Sequence, residues 1–153
     1  MHTAADTDDE PDFCPCMGCA GFNLRKAMRA VSQVYDDALR PAGIRGTQFS
    51  LLVAIRMAAP VTVTQLADKA VMDRTTLTRN LDVLVKQGLI ALDAGDDRRT
   101  RMVTITGQGR AVLIQAHPLW EQAQSRLRKS MPEDRLEALL EGLRQLTEAA
   151  QSG

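Results

Sequence analysis

The stretch that most constrains this chain is residues 61 to 90, VTVTQLADKAVMDRTTLTRNLDVLVKQGLI. Two helical patterns stand in tandem there with only a brief turn between them. Thr64 is placed to cap a short first helix in which Leu66, Ala67 and Ala70 face inward. A turn through Val71 and Met72 leads to Asp73, a helix-capping residue type, and a second helix follows. Its apolar positions Leu77, Leu81, Leu84 and Val85 recur at helical spacing, and Gly88 supplies the stop. The opposite face carries Arg74, Thr75, Thr76, Thr78, Arg79, Asn80 and Lys86. Such a face is short, cationic and rich in hydroxyl and amide groups.

The period changes after Gly88. LIALD and MVTIT read as two strands, Val103 and Ile105 alternating with Thr104 and Thr106. AGDDRRTR between them is a polar hairpin tip turned by Gly95. Upstream, Leu24, Met28, Val31, Tyr35 and Leu39 step by four and three, which predicts a helix from about Cys19 that Pro41 and Gly43 end. A second helix around Thr47 to Ala59 carries Phe49, Leu52, Val53 and Ile55 and reads as buried. Two more follow the hairpin. One runs from about Gly109 to Lys129, with Val112, Leu113, Ala116, Leu119, Trp120, Ala123 and Leu127. The other starts after Pro132, with Leu136, Leu139, Leu140, Leu143 and Leu146. The fold class is therefore mainly α with a small two- to three-stranded β-wing. With aromatics at only 3%, aliphatic side chains must pack the core, which suits helices.

The zero net charge of the 153-residue chain conceals an asymmetry. Asp6, Asp8, Asp9, Glu10 and Asp12 crowd the first twelve residues, where no Lys or Arg occurs. Setting those five aside from 19 acids, against 19 bases, leaves residues 13 to 153 at net +5. That balance is compatible with a nucleic-acid partner without demanding one. The acidic start is unlike a signal peptide, and FSLLVAIRMAA is too short for a bilayer and broken by Arg56. A soluble, cytoplasmic protein with no membrane partner is expected.

A helix, a turn and a helix followed by a basic-tipped hairpin make the layout of a winged helix-turn-helix. Guanidinium and amide groups on a helix face can read base edges in a major groove. An arginine-tipped hairpin can reach the adjacent minor groove. The chain resembles the multiple-antibiotic-resistance regulator (MarR) family of bacterial transcription factors. The likeness is carried by ALRPAGIRGTQFSLLVAI, TVTQLADKAVMDRTTLTRNLDVLVKQGLI, DDRRTRMVTITGQGR and the flanking helices, from about Phe22 onward.

The resemblance implies an intertwined homodimer held by its N- and C-terminal helices, and two recognition helices on successive major grooves of a pseudo-palindromic site in double-stranded DNA. It divides the chain into an acidic, disordered tail with the cysteines (1–20), a helical dimerisation region (21–46 and 108–153) and a winged helix-turn-helix (47–107). It places Thr75, Thr76, Thr78 and Arg79 at groove-facing positions and Arg99 in the minor groove. Arg74, Arg98 and Arg101 fall to phosphate contacts, with Asp97 bracing an arginine of the wing. A repressor released by an effector is the expected function, and no enzyme.

All three cysteines, Cys14, Cys16 and Cys19, fall within DFCPCMGC. At a helix N-terminus a thiolate is stabilised and reactive. Cys16 and Cys19 have dithiol redox spacing, whereas a Cys14–Cys16 disulfide would be strained. Three thiolates also offer soft donors for Cu(I) or a trivalent metalloid, while Zn(II) would want a fourth ligand. Inert thiols are the plain alternative. A small-molecule effector would instead use a cleft between the arm helices and the winged lobe, to which Tyr35, Phe49, Met57, His117 and Trp120 are candidates, although each reads equally as core. Two rival functions are a thiol oxidoreductase using Cys16 and Cys19, which lacks the surrounding strand–helix alternation, and a winged-helix module that binds protein. The cations on the second helix and the hairpin count against the latter.

Overall fold

The computed structural model describes residues 11–95, 97 and 100–152. A 3-10 turn, Cys14–Gly18, precedes α1 (Ala20–Leu39). A second 3-10 turn, Arg40–Ala42, leads through Gly43 to α2 (Gly46–Ala58). Then come β1 (Val61–Thr62), α3 (Val63–Ala70), α4 (Arg74–Lys86), β2 (Ile90–Ala94), β3 (Arg101–Ile105), α5 (Gly107–Lys129) and α6 (Glu133–Gln151). The sheet is antiparallel in the order β1-β3-β2. Val61 lies opposite Val103, and Ile90 opposite Ile105.

Most predicted elements are present, and the local corrections have simple causes. The cap of α3 is Thr62 rather than Thr64. Its hydroxyl accepts from the Gln65 N–H at 3.1 Å, and the Thr62 N–H donates back to Gln65 Oε1 at 3.0 Å. That reciprocal box needs a Gln three residues after the Thr, and only Thr62 has one. Val85 is exposed, because Leu77, Leu81 and Leu84 already fill the inward stripe of α4. α5 starts at Gly107, since the Thr106 hydroxyl accepts from the Gly109 N–H at 3.0 Å and so caps the helix two residues earlier than expected.

One core joins the winged lobe. Leu39 from α1, Leu52 and Ile55 from α2, Leu66 from α3, Leu77, Leu81 and Leu84 from α4, and Val61 and Val103 from the sheet are all buried. α5 returns along α1, where the Tyr35 hydroxyl donates to Gln124 Oε1. α6 buries no residue, and Leu139, Leu140 and Leu146 on it are exposed, as are Phe22, Leu24, Met28 and Val31 on α1. Aliphatic side chains at helical spacing left in water on two long helices form an unpartnered apolar surface. Among the described residues no helix is long and apolar enough to cross a membrane.

Candidate nucleic-acid interface

α4 begins with a firmly built cap. Asp73 Oδ1 accepts from the Thr76 N–H at 2.8 Å, and Oδ2 from the Thr76 hydroxyl at 2.6 Å. The Thr76 hydroxyl, then its N–H, hold the Asp73 carboxyl below its ordinary range, so it stays ionised at neutral pH. Burying Leu77, Leu81 and Leu84 turns Arg74, Thr75, Thr76, Thr78 and Arg79 to solvent. The Thr78 hydroxyl donates to the Arg74 carbonyl at 2.7 Å. The Thr75 hydroxyl makes no hydrogen bond with any described residue.

The C-terminal end of α4 is anchored to the rest of the lobe. Gln48 Nε2 on α2 donates to Gln87 Oε1 at 2.9 Å, and Gln108 Nε2 on α5 donates to the Gln87 carbonyl at 3.3 Å. Gly88 then turns the chain at φ 71°, and the Thr106 hydroxyl donates to its carbonyl at 2.6 Å. These ties fix the angle between α4 and the hairpin. None of the three glutamines was singled out from sequence, where glutamines on separate helices carry no pairing signal.

β2 and β3 run out to a tip closed by the Gly95 N–H on the Thr100 carbonyl and the Thr100 N–H on the Asp97 carbonyl, both at 2.8 Å. Arg101 opens β3 opposite Ala94 and is exposed. Arg98 and Arg99 lie outside the described residues. Arg74 and Thr78 from α4 line a groove of about 170 Å³ together with Thr100 and Arg101 of the hairpin, Thr62 at the end of β1 and Thr64 of α3. Two cations from elements far apart in sequence thus border one concave surface. Sequence reasoning missed Thr62 and Thr64 here; the T-x-x-Q box was the available signal for where α3 starts.

The cysteines sit apart from this face. All three are exposed, and Cys19 is the residue from which α1 springs. The N–H groups of Phe22 and then Gly21, with a smaller contribution from Arg25, draw the Cys19 thiol below its ordinary value. Among the described residues no three His, Cys, Asp or Glu side chains are gathered as a metal-binding group.

A separate cleft of about 590 Å³ opens between α1, α2 and α5. Tyr35, Phe49 and Trp120 do line it, with Met28, Ser32 and Gln124. Phe49 and Trp120 stack, their centroids 5.8 Å apart and planes 23° from parallel. Burial pushes the Tyr35 hydroxyl pKa up. Met57 belongs neither to the cleft nor to the core: it is 81% exposed at the end of α2. His117 is also exposed, its Nδ1 3.5 Å from Glu121 Oε2 one turn on.

An exposed recognition helix, its supporting helix and a flanking hairpin of a three-stranded sheet define the winged-helix class. The MarR family model matches residues 42–100. The multiple antibiotic resistance protein MarR of Escherichia coli is 35% identical over 88 residues, covering 57% of this chain and 61% of that protein. The chain thus matches about three-fifths of the length of that curated relative. Among solved structures, the Mycobacterium tuberculosis transcriptional regulator MosR in complex with DNA superposes with a TM-score of 0.78 at 40% identity, covering 86% of this chain and 98% of that one. A mutant E. coli MarR complexed with operator DNA gives a TM-score of 0.80 at 27% identity, covering 90% and 99%. The chain belongs to the MarR family.

Proposed function

We propose that this protein is a cytoplasmic homodimer that binds a pseudo-palindromic site in double-stranded DNA through α4 and the β2–β3 hairpin and represses a nearby operon. The observation that carries this reading is the groove in which Arg74 of the recognition helix and Arg101 of the wing border one surface. A major-groove helix and a strand-borne cation on one concave face suit a duplex, which offers base edges and a phosphate ridge side by side. The comparison structures holding DNA, MosR and MarR, support the same assignment. The relatives are regulators rather than enzymes, and the thiols have no catalytic surroundings.

Dimerisation falls to residues 21–46 and 108–153, whose exposed leucines and methionines need a second copy to leave water. Thr75, Thr76, Thr78 and Arg79 face the major groove. Arg74, Arg98 and Arg101 meet phosphates, Arg99 enters the minor groove, and Asp97 braces an arginine of the wing. Release from DNA follows either thiol chemistry at Cys14, Cys16 and Cys19, supported by the helix-terminal setting of Cys19, or a small molecule in the cleft of Tyr35, Phe49 and Trp120. The test is binding to DNA from upstream of the protein's own gene, in reduced, oxidised, arsenite and Cu(I) conditions, beside the triple Cys→Ser variant. Release confined to the cysteine-bearing protein assigns sensing to the thiols. Equal binding throughout makes the thiols bystanders and moves the search for an effector to the cleft. Absence of binding to any duplex sinks the reading.

A further inference from the structure

The three threonines of the recognition helix are not equivalent. Hydroxyls have one proton each, and two of the three are already committed. Thr76 donates its proton to Asp73 Oδ2 at 2.6 Å, and Thr78 donates its proton to the Arg74 carbonyl at 2.7 Å. Both acceptors, a carboxylate and a backbone carbonyl, lack a proton of their own, so the direction of each bond is fixed. Each bond also draws Oγ back towards the helix N-terminus and selects one of the two χ1 states open to a helical threonine. The γ-methyl is then the group that no hydrogen bond holds. Thr75, without such a bond, keeps its hydroxyl free to donate or accept.

We propose that Thr76 and Thr78 are specificity-determining residues that present methyl groups to the major groove and select A·T pairs by contact with the thymine C5-methyl. This rests on the DNA-binding reading above and deepens it. A hydroxyl with no proton to give is a poor partner for a phosphate or for the O6 and N7 acceptors of guanine. A methyl fits the one apolar feature on the major-groove edge of a base pair. The guanidinium donor for guanine on this face is Arg79. The half-site therefore carries thymines under the flanks of α4 that hold Thr76 and Thr78.

A chemical double-mutant cycle tests this. Duplexes are enriched from a randomised pool by the wild-type protein, and the thymines of one half-site are replaced singly by deoxyuridine, which deletes only the C5-methyl. The protein arms are Thr76→Ser and Thr78→Ser, which delete the γ-methyl and keep the hydroxyl, and Thr76→Val and Thr78→Val, which do the reverse. At the contacted thymines, deoxyuridine is expected to weaken wild type and the Val variants about fourfold, the worth of one buried methyl. The matching Ser variant, already without the contact, shows no further loss. If Ser variants and wild type respond alike to deoxyuridine, or if Val variants lose binding that Ser variants keep, the inference is overturned while DNA binding stands. If the pool yields no enriched duplex and binding is insensitive to salt, the underlying DNA-binding reading fails with it.

Discussion

Gly109 is the position where a single added carbon does most damage. A Cβ built there falls 2.0 Å from the Leu89 carbonyl oxygen and 2.8 Å from Ile105 Cγ1. Ordinary contact needs more than 3 Å, so backbone rather than a flexible side-chain end must move by about 1 Å. The Leu89 carbonyl also accepts the Thr106 N–H at 3.1 Å, and the neighbouring Gly88 carbonyl accepts the Thr106 hydroxyl at 2.6 Å. Losing both hydrogen bonds costs about 2 kcal/mol at roughly 1 kcal/mol each. Overpacking of a buried site adds about 1–3 kcal/mol. The better helix propensity of alanine returns about 1 kcal/mol. Gly109→Ala should therefore destabilise by about 2–4 kcal/mol, lowering Tm by roughly 4–16 °C for a domain of this size. Thermal unfolding by circular dichroism at fixed protomer concentration measures it. The same displacement re-aims the wing, so DNA affinity should fall below what the stability loss explains. A Tm within about 2 °C of wild type, on the same scale, would refute the packing argument.

Three further outcomes follow from particular residues. Val71 sits in the left-handed region at φ 52° in the turn before Asp73, with its side chain more than half exposed. Val71→Gly relieves about 1–2 kcal/mol of backbone strain against about 0.5–1 kcal/mol of extra chain entropy, so Tm should hold or rise by up to about 6 °C; a fall would show the turn is unstrained. Leu140→Glu puts a charge on the exposed apolar face of α6, and sedimentation should show monomers at concentrations where wild type is dimeric; an intact dimer would remove that face from the interface. For Cys19 in a Cys14→Ser, Cys16→Ser background, the rate of alkylation against pH should have its midpoint below that of a free thiol. The depressed folded value also fixes the sign of the stability effect. The thiolate's support of α1 is full above the unfolded pKa and is lost as pH falls through the folded one. A midpoint at or above the free-thiol value contradicts the helix-terminal effect.

The helices, the hairpin and the outward face of α4 were legible because each repeats a local rule: inward leucines at 77, 81 and 84, a capping Asp73, a stop at Gly88. What escaped depends on partners distant in the chain. β1 is two residues long and exists only because Val61 finds Val103 across the sheet. Thr64 is a capping residue type, but the cap falls to Thr62, which alone has a Gln three residues on to close the box. Val85 carries the right residue type one place past the buried stripe, and Met57 is an apolar residue that the core does not need. Tyr35, Phe49 and Trp120 lie up to 85 residues apart in sequence, and only the return of α5 along α1 assembles them into a cleft. The use of the Thr76 and Thr78 protons was equally hidden, since the sequence shows hydroxyls but not their bonds.

The central claim, that α4 and the wing form a DNA-binding face, is tested most directly by the salt dependence of duplex binding. The affinity of the purified protein for a duplex enriched by it should fall linearly on a log–log plot with slope about −0.9 per phosphate neutralised. Arg74→Ala and Arg101→Ala should each make that slope shallower by about one. A slope near zero, or one that neither substitution changes, would contradict the account.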